Sequence, residues 1–402
     1  MLDQPLPQLG WNMNGPHSAL TAFLNTLPAR PQLLAFGEPT HAVETFQTWR
    51  NHIFQVLVED HGFRSIALES DVVAGLRVNA HVTLGQGTLD EAMQTGFSHG
   101  FGSRPANREL VEWMRDFNAG RDPEDHLHFY GFDPPLEWWA PGPRVSLLAL
   151  HAFLTAQLGA LPVEADTIAS LCGEEERWTN AAAVRDASQS IGDSLEARRL
   201  RRLADDLAGV LDTHAPGLAA HPGFWEAQLH ARTAVGLLQY HALLADPAPR
   251  RMERAAALRA LLMADNLSAI AGCEEERGPT LVFAHNAHLQ RHISTMRLGD
   301  THLKWWSAGA HAHTRFGLRY ALIASDLGTA AEKGIGEPAP GTLGGALMSL
   351  AAPATLMPAQ ALTAALPPTL AKRTDVPQQA GYFPLNAAHL ALADGVLFLK
   401  HA

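Results

Sequence analysis

Cysteine is almost absent, with two residues, Cys172 and Cys273, in a chain of 402. Two distant thiols make no disulfide framework. Neither has a second Cys or His at zinc spacing, so a structural zinc site is not expected. They read as free cysteines of a reducing cytoplasm. A basic cluster is missing too: 30 Lys and Arg face 41 Asp and Glu, for a net charge of -11. The densest basic stretches, Arg198-Arg199-Leu200-Arg201-Arg202 and Arg250-Arg251-Met252-Glu253-Arg254, lie on Ala- and Leu-rich helical patterns. They read as solvated helix faces, and no nucleic-acid partner is expected. No uncharged apolar run reaches the ~18 residues of a membrane helix. Residues 1–15 are Pro-rich and lack the basic and apolar regions of a signal peptide. The expectation is a cytoplasmic protein without a membrane partner. Gly85-Gln86-Gly87 is too short to hold phosphate, no Walker motif is present, and no internal repeat is convincing. One residue type is abundant, histidine, with 21 copies.

The 47% hydrophobic content is enough for a large core. Segments 33–37, 65–69, 127–132, 280–284, 320–324 and 395–399 are short apolar runs and predict strands. Residues 44–61 carry Phe46, Trp49, Ile53, Phe54 and Leu57 at helical spacing, and Gly62 ends the pattern. Strand, helix and strand in so short a span make a right-handed βαβ unit, with its two strands as near neighbours. Another helix is predicted over about 108–118. From 143 to 271 the chain is rich in Ala, Leu and Arg, with helical periodicity and no convincing strand. The expected fold class is therefore α/β: a mostly parallel sheet flanked by helices, with a helical insertion. The core would be 1–142 and 272–402, and the insertion 143–271. Residues 329–377, rich in Gly, Pro and Ala, take no assignment. Trp138-Trp139 and Trp305-Trp306 read as core or cleft wall.

Parallel sheets place ligands at the carboxyl ends of their strands. The polar residues there are Glu38 and His41, Glu69 and Asp71, Asp133, then His285, Asn286 and His288. Taken alone, an acid or imidazole after a strand is an ordinary turn residue. Four strands delivering such groups to one edge is more informative. Glu38 and Glu69, held close, would repel without something positive, protonated or water between them. His41 is placed to fill that gap. It sits just before a helix N-terminus, whose dipole disfavours the imidazolium. The expectation is a neutral imidazole beside two acids, the arrangement of a general base.

Gly37-Glu38-Pro39-Thr40-His41, followed by Glu44, Arg50 and Ala67-Leu68-Glu69, resembles the erythromycin esterase family. So do Val111-Glu112-Trp113-Met114-Arg115-Asp116-Phe117-Asn118, Phe129-Tyr130-Gly131-Phe132-Asp133, Met263-Ala264-Asp265-Asn266 and Phe283-Ala284-His285-Asn286-Ala287-His288. The resemblance implies a hydrolase acting on a small-molecule ester or lactone, with macrolides as candidate substrates and antibiotic resistance as the setting. It implies His41 as the base that activates water, Glu38 and Glu69 as the acids that orient base or water, and Arg50 as the arginine that stabilises substrate oxygen. His285 and His288 would stand across the cleft, and the implied fold is an α/β core with the helical insertion beside the active-site cleft. No cofactor is implied. Residues 96–107 depart from the family by lacking a Trp-containing segment, and 329–377 match no pattern.

Two other hydrolytic chemistries bear weighing. Gly96-Phe97-Ser98-His99-Gly100 satisfies G-x-S-x-G, but a nucleophilic serine must lie between strand and helix. A helix at 89–95 precedes it and a loop follows, so Ser98 reads as a loop residue. Glu38, His41, Glu69, His285 and His288 could alternatively ligate a divalent ion such as zinc or manganese, although no H-E-x-x-H spacing occurs. A non-catalytic small-molecule binding module is the reading from another class. It leaves four acid- and imidazole-bearing strand ends without a purpose.

Overall fold

A strand covered on both faces has to be apolar at nearly every position, and the chain supplies six such segments. The computed structural model describes residues 9–402 other than 138, 351 and 368; Trp138 thus lies outside the described residues. Its strands are β1 (Trp11–Asn12), β2 (Leu33–Glu38), β3 (Ser65–Asp71), β4 (His128–Asp133), β5 (Thr280–His285), β6 (Ile293–Leu298), β7 (Thr301–Trp306), β8 (Tyr320–Thr329), β9 (Ala354–Pro358) and β10 (Gly395–His401). Eight form one sheet in the order β1-β9-β10-β8-β2-β5-β3-β4. From β10 to β4 all neighbours are parallel, and β9 and β1 add an antiparallel edge. The fold class is the expected α/β, with a mostly parallel sheet flanked by helices.

Alternation along each strand separates two cores. Leu34, Phe36, Ile66, Leu68, Leu281 and Phe283 face one side, against Phe46, Ile53, Phe54 and Leu57 of the helix Glu44–His61 and Leu110, Val111 and Met114 of the helix Pro105–Asn118. Gly62 stops the first of these helices in the left-handed conformation, φ 68°. Leu33, Ala35, Ala67, Val282 and Ala284 face the other side, against Met263, Ala264, Leu267 and Ile270. The small side chains there let the helix Arg251–Cys273 lie close on the sheet. This helix is long and apolar enough to cross a membrane, but it packs in the protein core.

The expected adjacency of β2 and β3 is corrected: β5 lies between them, paired parallel with both. The segment 329–377, without an assignment from sequence, contributes β9. The hairpin β6–β7 was also not foreseen. Trp306 on it is 54% exposed and Trp139 is 43% exposed, so neither is core.

Between β4 and β5 the chain is helical, with main helices Arg144–Leu158, Leu195–Leu218, Phe224–Ala245 and Arg251–Cys273. Leu147, Leu150, Leu154, Leu200, Leu207, Leu211 and Leu238 give it a core of its own. His241 is sealed into this region, 1% exposed. Its Nε2 donates to the Pro141 carbonyl at 2.9 Å, and its ring meets Trp178 edge-on at 4.8 Å. Burial holds its pKa down to about 4. An unfolded histidine takes its proton near 6.5. The unfolded chain therefore binds a proton that the native one refuses, and stability present above pH ~6.5 is lost as pH falls toward 4. A depression of this size is worth a few kcal/mol, at ~1.4 kcal/mol per unit. His241→Gln keeps a donor for Pro141 but cannot titrate. Urea unfolding at pH 7 and pH 4.5 should show a smaller acid loss in this variant than in the wild type.

Candidate active site

The candidate residues lie at the carboxyl ends of β2, β5, β3 and β4. Glu38 and His285 are register partners at the ends of β2 and β5. Gly37 allows this crossing: a Cβ there would stand 2.2 Å from Asn286 Oδ1. Asn286 instead reaches past it to donate to the Ser325 carbonyl at 2.7 Å.

His41 follows β2 in a tight turn. The next residue, Ala42, has φ 60°, and His99 has φ 55°; these are the non-glycine residues with positive φ among the described residues. The left-handed conformation costs an L-residue ~1–2 kcal/mol. Strain of this kind concentrates at functional sites. Here one instance adjoins His41 and the other is His99, and the rings of both histidines stand 5.7 Å from that of Phe101. His41 Nδ1 donates to Glu38 Oε1 at 2.7 Å, and Nε2 lies 3.8 Å from Glu69 Oε1. The imidazole is 42% exposed, while the carboxylates beneath it are buried. His41 thus lies between the two acids although their strands are not adjacent.

Glu69 is the hub. Its Oε2 accepts the His285 backbone N–H at 2.8 Å. Its Oε1 takes His288 Nε2 at 3.1 Å and has Arg259 Nη2 at 3.8 Å. Burial pushes its pKa up, but the charges of His288 and His41 and the His288 hydrogen bond prevail and hold it well below the usual range. Glu38 goes the other way: burial raises it more than His41 lowers it. For His41, burial pulls the pKa down. The charge of Glu69 and the bond and charge of Glu38 outweigh that and lift it to about 9. The expected neutral imidazole is therefore corrected to an imidazolium in the resting site.

The His285 ring stands 4.9 Å from that of His41, as expected of a residue facing it. Burial and the charge of His41 depress its pKa to about 3. Arg50, expected at the substrate, is 1% exposed. Its nitrogens donate to Asn51 Oδ1, Asn107 Oδ1 and the Ala106 carbonyl, and its guanidinium lies 5.1 Å from the Phe283 ring centroid. Its charge lowers the pKa of Glu38. Asp71 is a turn cap, its carboxylate accepting from Val73 and Ala74 N–H. Ser98 Oγ accepts from the Asp71 N–H at 2.9 Å and meets Ser70 Oγ at 3.3 Å; it lies in a loop, and no histidine among the described residues is bonded to it.

Two functional candidates escaped the sequence reading. Arg259, on the helix Arg251–Cys273, forks onto Asp133 through Nε, at 2.9 Å, and Nη2. Its Nη1 has no hydrogen-bond partner among the described residues, and the side chain is 28% exposed. Arg259, Met263 and Asn266 share one helix face, so the resemblance at Met263-Ala264-Asp265-Asn266 was the available signal. The other is His99, which bridges Asp133 at 3.2 Å and Glu137 at 2.9 Å. Phe101 stands between His41 and His99, 5.7 Å from each ring.

The five candidate metal ligands do not fit one ion as they stand. No three His, Cys, Asp or Glu side chains converge for that purpose among the described residues. His41 Nδ1 is bonded to Glu38, and His285 Nε2 to backbone carbonyls.

A family model described as erythromycin esterase matches residues 58–401. That span includes Glu69, Arg259, His285 and His288 but starts after Glu38, His41 and Arg50. Erythromycin esterase type II of Escherichia coli is 25% identical over 268 residues, 65% of this chain and 61% of that protein. The alignment therefore spans less than two thirds of the relative. A Bacillus cereus protein of known structure is 16% identical with a TM-score of 0.69, over 97% of this chain and 93% of its own. A protein described as a succinoglycan biosynthesis protein is 15% identical, TM-score 0.66, over 100% and 93%. A mutant of the erythromycin esterase EreC in its open conformation is 17% identical, TM-score 0.66, over 99% and 96%. At these identities the solved structures establish the shared fold.

Proposed function

Because the chain belongs to the erythromycin esterase family, whose membership supports a hydrolase, we propose that it hydrolyses an ester or lactone with a water activated by His41. One observation carries this reading. The Nδ1–H of His41 is held by buried Glu38, which leaves Nε2, 3.8 Å from Glu69 Oε1, as the ring nitrogen that can take a proton on a half-exposed side chain. With its proton lost, Nε2 takes one from a water whose oxygen bonds to the substrate carbonyl carbon. Glu38 and Glu69 stabilise the imidazolium so formed. Negative charge on the carbonyl oxygen is met by Arg259 through its unpartnered Nη1. Arg50 acts through its charge, which favours the carboxylate form of Glu38. As the tetrahedral intermediate collapses, the C–O bond to the leaving alkoxide breaks and His41 returns its proton to that oxygen. The products are an acid and an alcohol, with no covalent enzyme intermediate. His288 orients Glu69. A macrolide lactone is one candidate within this substrate class.

Hydrolysis of a nitrophenyl ester and a lactone panel including a macrolide, with the purified chain, tests the reading. Ser98→Ala should keep its rate within a few-fold, since it loses only loop hydrogen bonds, to the Asp71 N–H and to Ser70 Oγ, worth ~1 kcal/mol each in stability. An inactive Ser98→Ala, or a burst of product before steady state, would assign the reaction to serine instead.

A further inference from the structure

The chain returns late to the sheet edge that carries Glu38 and His285. A short turn, Gln378–Ala380, ends on Gly381 at φ 61°. Four successive residues then grip the site. The Ala380 carbonyl accepts from Thr40 Oγ1. The Gly381 carbonyl accepts from His285 Nε2 at 3.1 Å. The Tyr382 hydroxyl donates to Asp326 Oδ1. Phe383 N–H donates to the Pro39 carbonyl at 2.7 Å, and its ring stands edge-on to His285 at 6.0 Å. Pro39 and Thr40 are the two residues between Glu38 and His41, so the contacts of Ala380, Gly381 and Phe383 fall on the turn that carries the candidate base and on the imidazole facing it, while Tyr382 anchors the segment to β8.

The anchor is strong for a physical reason. Asp326, on β8, is 1% exposed, and a buried carboxylate needs donors. Tyr382 and the Leu327 N–H, at 2.8 Å, supply them. Arg373, 3% exposed, lies 5.6 Å from the Tyr382 ring centroid and donates to the carbonyls of Gly328 and Gly336. The tautomer of His285 follows. Carbonyl oxygens only accept, so Nε2, facing those of Gly381 and Pro39, carries the proton. Nδ1 accepts from the Ala287 N–H at 3.3 Å and is bare. Both ring nitrogens are taken, and a second proton has no place.

We propose that Ala380–Phe383 is a positioning strap of the hydrolytic site, with Tyr382 as its pin, which fixes His285 as a neutral imidazole and holds the Glu38–His41 turn in register. This rests on the reading of that turn as the active centre. The neutral His285 keeps a second positive charge away from His41, 4.9 Å off, where the imidazolium forms. Tyr382 touches no reacting atom and is a positioning residue.

The test uses the full chain with Tyr382→Phe and Thr40→Val, which loosen the strap from opposite sides. Ring-nitrogen NMR of 15N-histidine protein reads the His285 tautomer, assigned by the signal missing in His285→Gln. Wild type should show a neutral Nε2–H imidazole down to pH 5. Each variant should show mixed tautomers and a titration moved up toward the ordinary ~6.5. The variants should lose ~10-fold or more in kcat, with KM within about twofold, because small misplacements of reacting groups cost ~10²-fold. If Tyr382→Phe does not fold, Thr40→Val carries the test. An unchanged His285 signal overturns the strap whatever the rates; a changed signal with an unchanged kcat overturns its role in the reaction. A wild type that hydrolyses nothing sinks the hydrolase reading, and the NMR alone then decides whether the strap fixes His285.

Discussion

His41→Asn should lower the rate of ester hydrolysis by ~10²–10⁴, the usual worth of a positioned general base. Asparagine has similar reach, and its amide can still donate to Glu38, so the turn keeps its bond to the buried carboxylate. It has no basic nitrogen to take a proton from water. The same ester, measured with and without chelator, separates base from ligand. If His41 is the base, chelator leaves the wild type unchanged and His41→Asn is slow under both conditions. If His41 holds a metal, chelator abolishes wild-type activity, zinc or manganese restores it, and His41→Asn loses bound metal along with rate. A variant keeping more than about a tenth of wild-type activity would refute the proposal, since a base worth less than ~10²-fold is not the main proton acceptor.

Much of the frame is legible in sequence for one reason. Strands buried on both faces must be continuous apolar runs, so β2, β3, β5 and the core of β8 stand out from the helices around them. The order of the strands is not legible. Any Val-, Leu- and Ala-rich parallel strand can pair with any other, and nothing local says that β5 enters between β2 and β3. Gly37 was the trace of it, since only a glycine lets Asn286 cross there. β9 escaped because Ala354-Thr355-Leu356-Met357-Pro358 is short, ends in proline and lies in a Gly- and Pro-rich stretch. In the site, strand-end acids and imidazoles were readable by position. Arg259 was not, because an arginine on an amphipathic helix looks like a solvated face until the helix is docked. Ala42 carries no sign of its positive φ.

The protonation of His41 was misread through a matter of magnitude. The helix dipole is worth ~0.3–1 kcal/mol at an exposed end. A full charge about 4 Å away is worth ~4 kcal/mol at an effective dielectric of 20. Glu38 and Glu69 supply two such charges, at 2.7 and 3.8 Å, and together they override both the dipole and the burial of the ring.

The consequence is a pH profile with an unusual limb. A base must be unprotonated to act, and His41 is lifted to about 9 in the free site. The kcat/KM of the wild type should therefore rise ~10-fold per unit through pH 7 to 8 and bend to a plateau near 9, after subtraction of uncatalysed hydrolysis. At pH 7 about one site in a hundred holds the free base, which puts the rate ~100-fold below its plateau. The sign follows from charge. Glu38 and Glu69 favour the protonated form, so removing either charge moves the limb to lower pH. The charge of Glu69 is the largest single cause that raises the pKa of His41, and Glu69→Gln keeps an acceptor for the His285 N–H while removing that charge. That variant should show the limb displaced to lower pH, with a lower plateau because the imidazolium of the transition state loses a partner. The profile of kcat/KM reports the free protein, and that of kcat the substrate complex; a limb at lower pH in kcat alone would mean that bound substrate displaces the proton. A wild-type kcat/KM that is flat between pH 7 and 9, or a limb that Glu69→Gln leaves in place, would show that the titrating base is not His41.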